Sequence, residues 1–321
     1  MRHVEIDVVE IPLSRPFTIS RGTRSSVTVV RVSIEEAGFI GLGECTPTAR
    51  YNQSTDSVVA QLNAVKAEIE AGASRTQLQA LLPAGSARNV LDCALWRLTA
   101  ATQQKTLWQA TDIAQPNSIV TAETISLDSL EAMVASTLDA VSRGAKLLKI
   151  KLDSQQIIEK VAAIRKAAPD NKLIIDANEA WGKCDLPAII EQLNQYDIAM
   201  LEQPLPAGKD QRLSEFKHVI PICADESCHV ATDIAALKQR YEFINIKLDK
   251  CGGLTEALDM VKVAKQHDMR LMVGCMLGSS LAMSAALPIA AQCELVDVDG
   301  PIWLAVDSTP YLTYQQGDVW T

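Results

Sequence analysis

Aromatic residues and histidines are scarce in this chain of 321 residues. Phe, Trp and Tyr together make up 4% of the sequence, and the four histidines are scattered without ligand spacing. Zinc sites draw mostly on histidine and cysteine at short, regular intervals, so this composition argues against zinc. The eight cysteines include no Cys-x-x-Cys pair. We therefore expect them to be reduced core residues rather than parts of a disulfide framework.

Long apolar runs and an excess of basic residues are also missing. Charges interrupt the N-terminal stretch, and no later stretch is long enough to span a membrane. We therefore expect a cytoplasmic protein with no membrane partner. The net charge of −9 argues against nucleic acid as the main partner. The sequence leaves the oligomeric state open, a homo-oligomer included.

The apolar residues that are present fall into short runs that recur along the second part of the chain. The runs predict strands over 119–126, 146–151, 172–178, 198–203, 222–226, 243–249, 271–276 and 295–299. Amphipathic stretches bounded by turn residues separate several of them, at 128–143, 155–168, 254–267 and 280–291. Such alternation of strands and helices predicts an α/β fold, a (β/α)7β-type TIM barrel over 118–305.

The first part of the chain has a different order of elements. Long alternating strands are predicted over 4–11 and 27–34, and helices follow over 56–70 and 89–101. This order predicts an α+β capping domain over 1–117 that packs beside the barrel. The last residues, 306–321, are too few for a domain of their own, and we expect them to return to the capping domain.

Charged residues close five successive predicted strands of the barrel at a nearly constant step. Intervals of 25, 26, 23 and 22 residues separate them, in the order Lys151, Asp176, Glu202, Asp225 and Lys247. The C-terminal strand ends of such a barrel form the mouth at which its chemistry takes place. The spacing therefore predicts an enzyme with these side chains at its mouth.

The three carboxylates of this series indicate a metal site. Asp176, Glu202 and Asp225 on neighbouring strands would repel one another and raise their pKa values unless a cation balanced them. Oxygen ligands without histidine favour Mg²⁺, one ion per subunit. The alternative is that the carboxylates form salt bridges or helix caps.

The lysines suggest the reaction. Lys149 and Lys151 share a strand face, because side chains two residues apart point the same way. Lys151 and Lys247, on the second and sixth strands, lie opposite each other in an eight-stranded ring. Neighbouring ammonium groups and Mg²⁺ are expected to lower a lysine pKa enough for base catalysis. Two such lysines could remove a proton from one face of a carbon and return it from the other. The alternative for Lys149 and Lys151 is an edge of solvated charge.

The order of these motifs resembles the muconate-lactonising-enzyme subgroup of the enolase superfamily. The likeness extends to 41–47 and 89–96 in the capping domain, while 246–257 and 296–301 are similar to dipeptide epimerases acting on L-Ala-D/L-Glu. Superfamily sites combine a Lys or His base with Mg²⁺ that stabilises an ene-diolate. The resemblance implies Mg²⁺ bound by the three carboxylates, Lys151 and Lys247 as the acid/base pair, and Lys149 on the substrate carboxylate.

The same resemblance implies epimerisation of a glutamate α-carbon, with a role in murein peptide (peptidoglycan) recycling. Asp297 and Asp299 share a face of the last strand, opposite the carboxylates, and we expect them to hold the ammonium end of a dipeptide. They could instead bond a neighbouring lysine or a loop amide. Arg24, in the polar loop 20–26, matches a capping-domain arginine that meets the substrate's side-chain carboxylate. A solvated arginine is its alternative.

Three other functions stay open on the sequence. They are epimerisation of other L-Ala-L-Xaa dipeptides, β-elimination as in o-succinylbenzoate synthase, and a catalytically inactive barrel that serves as a binding or scaffold protein. The substrate of the elimination has no ammonium group, so the pair of Asp297 and Asp299 argues against it. The complete set of polar site residues argues against an inactive barrel.

Overall fold

The first domain is built on two long antiparallel strands. The structure, a computed structural model, describes residues 2–321. Its first sheet has the order β1-β2-β3, with β1 (His3–Ile19), β2 (Gly22–Glu36) and β3 (Phe39–Cys45). Four helices follow, which are α1 (Thr55–Glu70), α2 (Arg75–Leu81), α3 (Ser86–Thr102) and α4 (Leu107–Thr111). Sheet and helices form the predicted α+β arrangement.

Helix α3 packs directly against β3 because two glycines of β3 leave space for it. A Cβ on Gly43 would lie 2.0 Å from the carbonyl oxygen of Val90, and one on Gly41 would lie 2.1 Å from that of Ala94. Both distances are far below van der Waals contact, so only glycine allows this approach. The buried valines of β2 complete the core beneath the same helix.

The second domain is the predicted barrel. After β4 (Ser118–Val120), its eight parallel strands are β5 (Ala122–Ile125), β6 (Leu147–Lys151), β7 (Lys172–Asp176), β8 (Ile198–Glu202), β9 (Ile222–Ala224), β10 (Phe243–Ile246), β11 (Arg270–Val273) and β12 (Leu295–Val296). The helices between them are α5 (Leu130–Ser142), α6 (Ile157–Ala167), α7 (Leu186–Leu193), α8 (Ile234–Leu237), α9 (Leu248–Cys251), α10 (Leu254–Gln266) and α11 (Ser280–Ala290). The predicted fold class is confirmed.

Apolar side chains close the bottom of the barrel. Each strand contributes one, and together they form a separate buried cluster of Ala122, Leu147, Ile174, Met200, Cys223, Phe243, Met272 and Leu295. A second, larger core lies between the strands and the surrounding helices. Because the floor is packed, polar side chains farther along the strands can be reached only from the C-terminal mouth.

Side chains, rather than a backbone ladder, join the first and last strands. The hydrogen-bonded order of the sheet runs from β5 to β12 without a pairing between these two among the described residues. Val298 N instead donates to Thr121 Oγ1 at 3.0 Å, and Thr124 N donates to Asp299 Oδ2 at 2.8 Å. Asp299 therefore helps to close the barrel.

The C-terminal residues contact both domains. The hairpin of β13 (Thr313–Gln315) and β14 (Asp318–Trp320) pairs with β4, at the entry to the barrel. Val319 lies in the barrel core. The segment just before the hairpin does contact the first domain, since Ala305 N donates to Pro12 O at 2.9 Å. Apolar contacts of Val319, Leu312 and Tyr314 with the barrel core hold the hairpin there.

Short 3-10 turns complete the fold, at Ala49–Tyr51, Asn194–Tyr196, Gln211–Glu215, Ala231–Asp233 and Gly300–Trp303. None of the helices in residues 2–321 has both the length and the apolar character needed to cross a lipid bilayer.

Candidate active site

Lys149 lies at the centre of the mouth. Strand β6 turns it and Lys151 inward, whereas Ile150 between them packs into the outer core. The Lys149 ammonium is 2.7 Å from Glu202 Oε2, 2.8 Å from Asp297 Oδ2 and 3.3 Å from Asp176 Oδ2. Burial lowers its pKa, but the three carboxylates outweigh burial and raise the pKa well above the usual value. Lys149 is therefore a fixed positive charge.

Lys151 and Lys247 approach the mouth from opposite sides. In the strand order, β6 and β10 are separated by three strands in each direction around the ring. Lys151 Nζ donates to Asp176 Oδ2 at 2.6 Å, and Lys247 Nζ donates to Asp225 Oδ2 at 2.6 Å. Both lysines line one cavity of about 340 Å³. A ligand in this cavity lies between two amines.

Two opposing effects act on the pKa of Lys247. Burial lowers it, but the attraction of the adjacent Asp225 carboxylate is stronger, so the net pKa is raised. The nearest charge is an acceptor rather than another ammonium. The state of Asp225 therefore controls the basicity of Lys247.

The three carboxylates are buried at the ends of adjacent strands. Asp176 and Glu202 are fully buried and Asp225 is almost so. Burial raises the pKa of Asp176 and of Asp225, but neighbouring lysines outweigh it and the net pKa of each is lowered. Burial and the charge of Asp176 raise the pKa of Glu202. Two carboxylates therefore stay ionised because ammonium groups balance them.

This donor set fits a hard divalent cation. Its ligand atoms would all be carboxylate oxygens, which Mg²⁺ prefers, and the buried Glu202 Oε2 has only the Lys149 ammonium, at 2.7 Å, as a partner. Lys149 lies between Asp176 and Glu202, whereas Asp225 pairs with Lys247 and Lys250. Within residues 2–321, the group of three possible ligands whose ligand atoms all lie within 4.8 Å of one another is Cys275, Asp297 and Asp299, and not the three carboxylates.

The two aspartates of the last strand have different surroundings. Asp297 Oδ2 accepts from Lys149, while its buried Oδ1 has no hydrogen-bond partner. Asp299 Oδ2 accepts from Thr124 N and, at 3.2 Å, from Trp303 Nε1. Burial and the charge of Asp297 raise the pKa of Asp299 to about 7. Both residues line the cavity, but Asp299 also has the structural role that we considered as the alternative.

Arginines of the capping domain lie over the mouth. The predicted loop 20–26 is instead the tip of the β1–β2 hairpin, and Arg24 pairs with Phe17 within it. Arg21 Nη1 is 2.9 Å from Glu226 Oε1, and Arg50 makes two hydrogen bonds of 2.6 Å with Glu179. Arg24 lines the cavity and has no carboxylate partner in the described part of the chain. It is therefore the arginine available to a ligand.

Two family models match this chain. The description of the first is mandelate racemase/muconate lactonizing enzyme, N-terminal domain, over residues 1–110, and that of the second is enolase C-terminal domain-like, over 132–319. The chain belongs to the enolase superfamily. The sequence resemblance is thereby confirmed, and it holds for both domains.

Individual relatives of this enolase-superfamily chain are epimerases and racemases. It is 49% identical to the L-Ala-D/L-Glu epimerase of Escherichia coli (strain K12) over 319 residues, 99% of each chain. It is 40% identical to an N-acetyl-D-glutamate racemase of Pseudoalteromonas sp over 294 residues, 91% of this chain and 92% of the other. An enolase family member from Agrobacterium tumefaciens with homology to dipeptide epimerases, solved with bound sodium and L-Ala-L-Glu, superposes with a TM-score of 0.96 at 42% identity, covering 100% and 98% of the two chains. The chain is an isomerase of the dipeptide-epimerase type.

Lys250 is a site residue of this superfamily member that the sequence reasoning missed. Its fully desolvated ammonium lies 2.6 Å from Asp225 Oδ1, 2.5 Å from Asp225 O, 2.9 Å from Cys228 O and 3.0 Å from Asn245 O. The predicted strand 243–249 ends at Ile246, and α9 begins at Leu248. Lys247 precedes Lys250 by three residues, and one helical turn places both side chains on the same side. The Lys-x-x-Lys spacing was the available signal.

The same early end of the strand takes Asp249 out of the mouth. The alternation of a strand over 243–249 would have put Asp249 on the inward face with Asn245 and Lys247. Asp249 Oδ1 instead accepts from Thr46 N at 3.0 Å and from Asn89 Nδ2 at 3.1 Å, both in the capping domain. Asn245 does point inward, because its Nδ2 donates to Glu202 Oε1 at 2.7 Å. Asp249 thus docks one domain on the other.

Replacement of Lys250 by methionine should destabilise the fold. Lys250→Met leaves the buried Asp225 carboxylate with one ammonium fewer, and breaking a buried ion pair costs about 3–5 kcal/mol. Denaturant unfolding of the metal-free protein measures the loss. The matched control is Lys160→Met, since the buried Lys160 comes no closer than 3.8 Å to its carboxylate, Asp153. Equal stability of the two variants would contradict the role that we assign to Lys250.

Proposed function

We propose that this enzyme epimerises the glutamate α-carbon of L-Ala-D/L-Glu dipeptides with two lysines. The proposal rests on one observation, that Lys151 and Lys247 reach the same cavity from opposite sides of the barrel. A base on one face of a carbon and an acid on the other invert its configuration. The 49% identity to an L-Ala-D/L-Glu epimerase supports this reaction.

Asp176, Glu202 and Asp225 would hold one Mg²⁺ per subunit. Three buried carboxylates on adjacent strand ends support this assignment, as does the sodium bound with L-Ala-L-Glu in the Agrobacterium relative. When bound, the ion would supply positive charge that stabilises an anionic substrate and would offset the attraction of the carboxylates for the lysines. Oxygen-only ligation favours Mg²⁺ over softer metals.

The remaining chemistry belongs to the lysines. A neutral amine of Lys151 or Lys247 would take the α-proton, and the opposite ammonium would return one to the other face. Negative charge then builds up on the substrate carboxylate as an ene-diolate. Lys149 would face this carboxylate, since it stays charged in the buried mouth. A preorganised charge of this kind contributes without reorganisation during the reaction.

The two ends of the dipeptide have complementary groups at the mouth. Asp297 Oδ1 is buried without a partner, which suits the ammonium of the first residue. Asp299 beside it would add to this negative site. Arg24 suits the side-chain carboxylate of glutamate, because Arg21 and Arg50 are already held by Glu226 and Glu179. Such a substrate fits the recycling of murein peptides in the cytoplasm.

A substrate without an ammonium group is the main competitor. The Pseudoalteromonas relative is named for N-acetyl-D-glutamate, and the substrate of o-succinylbenzoate synthase also lacks an ammonium. Neither substrate would satisfy the unpartnered Asp297 oxygen. Epimerisation of other L-Ala-L-Xaa dipeptides would use the same ammonium site but would not need Arg24.

Single lysine variants test the two-base reaction. We expect Lys151→Ala and Lys247→Ala each to lose at least about 100-fold in epimerisation, the usual contribution of a positioned acid or base. Each variant should still exchange the α-proton of one enantiomer, because one amine remains. Incubation with L-Ala-L-Glu and L-Ala-D-Glu in deuterated buffer with Mg²⁺, followed by mass spectrometry, measures both. Lys146→Ala, at an exposed lysine, is the control. Exchange of both enantiomers at the wild-type rate by either site variant would exclude the scheme.

Asp297→Asn tests the ammonium site. The amide keeps the size but removes the charge, so KM for L-Ala-L-Glu should rise about 10- to 100-fold, as expected for loss of a charged hydrogen bond. Initial rates with N-acetyl-L-glutamate, which has no ammonium, provide the comparison. If the wild type turns over N-acetylglutamate better than the dipeptide, and Asp297→Asn does not alter the dipeptide KM, the racemase reaction is favoured instead.

Arg24→Met tests the requirement for glutamate. We expect KM for L-Ala-L-Glu to rise about 10- to 100-fold because an ion pair is lost. KM for L-Ala-L-Met, which has no side-chain charge, should change much less. Steady-state assays of both dipeptides with both proteins give the ratio. An equal change for the two substrates would show that Arg24 acts through the hairpin and not through the carboxylate.

A further inference from the structure

We infer that Gln203 is a positioning residue that fixes Glu202 and Asp225, two of the proposed metal ligands, relative to each other, and that Tyr241 and Asp210 orient it. The inference rests on the proposed Mg²⁺ site and extends it to a buried network behind the barrel mouth. None of these three residues touches the cavity. Their effect on the site would be indirect, through the backbone that carries the ligands.

Gln203 ties the end of β8 to the end of β9. It is fully buried and follows Glu202 directly. Its side-chain oxygen accepts from Asp225 N at 2.9 Å and from Ser227 N at 3.1 Å. Its own backbone N donates to Cys223 O at 2.9 Å. Gln203 therefore fixes the backbone on both sides of Asp225.

The amide of Gln203 can point in one direction only. Tyr241 OH donates to Asp210 Oδ2 at 2.6 Å, and Ser227 Oγ donates to the same oxygen at 2.7 Å. Both hydroxyl protons are thus used, and both oxygens can only accept from Gln203 Nε2, at 3.0 and 2.9 Å. The side-chain oxygen must then face the N–H of Asp225. The carboxylate of Asp210, itself bonded to Arg240, sets this polarity.

The backbone at Gln203 depends on these bonds. Its φ angle is +34°, in the left-handed region that residues other than glycine rarely adopt. Such a conformation is unfavourable for a residue with a side chain and persists only where the surroundings impose it. The turn comes immediately after Glu202, so relaxation at Gln203 would rotate that carboxylate. The network therefore holds Glu202 in place by restraining Gln203, the residue that follows it.

The test is the affinity of the purified full-length protein for Mg²⁺ alone, measured by calorimetry. Gln203→Met has a side chain of similar length without the amide. Loss of an outer partner of a ligand typically weakens metal affinity about 10- to 100-fold, which is the expected change in Kd. A residue with only a structural role would lower the unfolding midpoint and leave this Kd unchanged.

Tyr241→Phe separates orientation of the amide from packing. We expect a smaller loss of Mg²⁺ affinity, about 3- to 10-fold, since Leu205 O and Ser227 Oγ still accept from Gln203. In the Gln203→Met background the same change should have no further effect, because contacting residues that act in series are not additive. The control is Tyr196→Phe, whose hydroxyl makes no hydrogen bond within residues 2–321.

Each outcome decides a separate point. Wild-type affinity in Gln203→Met, or an undiminished effect of Tyr241→Phe in that background, overturns the inference. If Gln203→Met does not fold, Tyr241→Phe and Ser227→Ala carry the test, and affinities equal to that of Tyr196→Phe overturn it. A wild type that binds no Mg²⁺ overturns the proposed metal site itself, and the inference falls with it.

Discussion

The site depends on charge balance in a mouth from which water is largely excluded. Six carboxyl groups (Asp176, Glu202, Asp225, Glu226, Asp297 and Asp299) and four lysines (Lys149, Lys151, Lys247 and Lys250) are buried there together. An isolated charge in such a place would be very costly, so each group depends on its neighbours. Lys149, in contact with three carboxylates, links the two sides of the barrel. Its removal would take away the positive charge that Asp176, Glu202 and Asp297 share.

The capping domain is attached to the barrel by residues one or two positions after Asp225, Lys247 and Asn178, which also lines the cavity. Glu226 comes after Asp225 and holds Arg21, and Glu179 comes after Asn178 and holds Arg50. Asp249, two residues after Lys247, accepts from Thr46 and Asn89. At each of these strand ends one side chain thus faces the mouth, and another one or two residues later reaches the cap. This alternation lets a single segment position the reacting groups and the loops that cover them.

Sequence reasoning succeeded where periodicity governs the structure. The two-residue alternation of strands predicted that Lys149 and Lys151 face inward, and the constant step between strands brought Asp176 to the same mouth. Reasoning from spacing failed where a local turn overrides the pattern, as after Ile246, where α9 removes Asp249 from the site and brings in Lys250. The sequence did not predict that the C-terminal hairpin pairs with β4, for another reason. Its partner, β4, has only three residues, so its pairing depends on tertiary contacts that a single sequence does not reveal.

The seam between β5 and β12 gives the two aspartates of the last strand unequal freedom to change during divergence. Asp299 accepts hydrogen bonds from the backbone N of Thr124 in β5 and from the indole of Trp303. A substitution at Asp299 would therefore break the contact that closes the barrel as well as change the substrate site. The Asp297 carboxylate is hydrogen-bonded only by Lys149, and its buried Oδ1 has no partner. Descendants of this scaffold with other substrates would therefore be expected to substitute Asp297 first and to keep Asp299, which joins the two ends of the sheet.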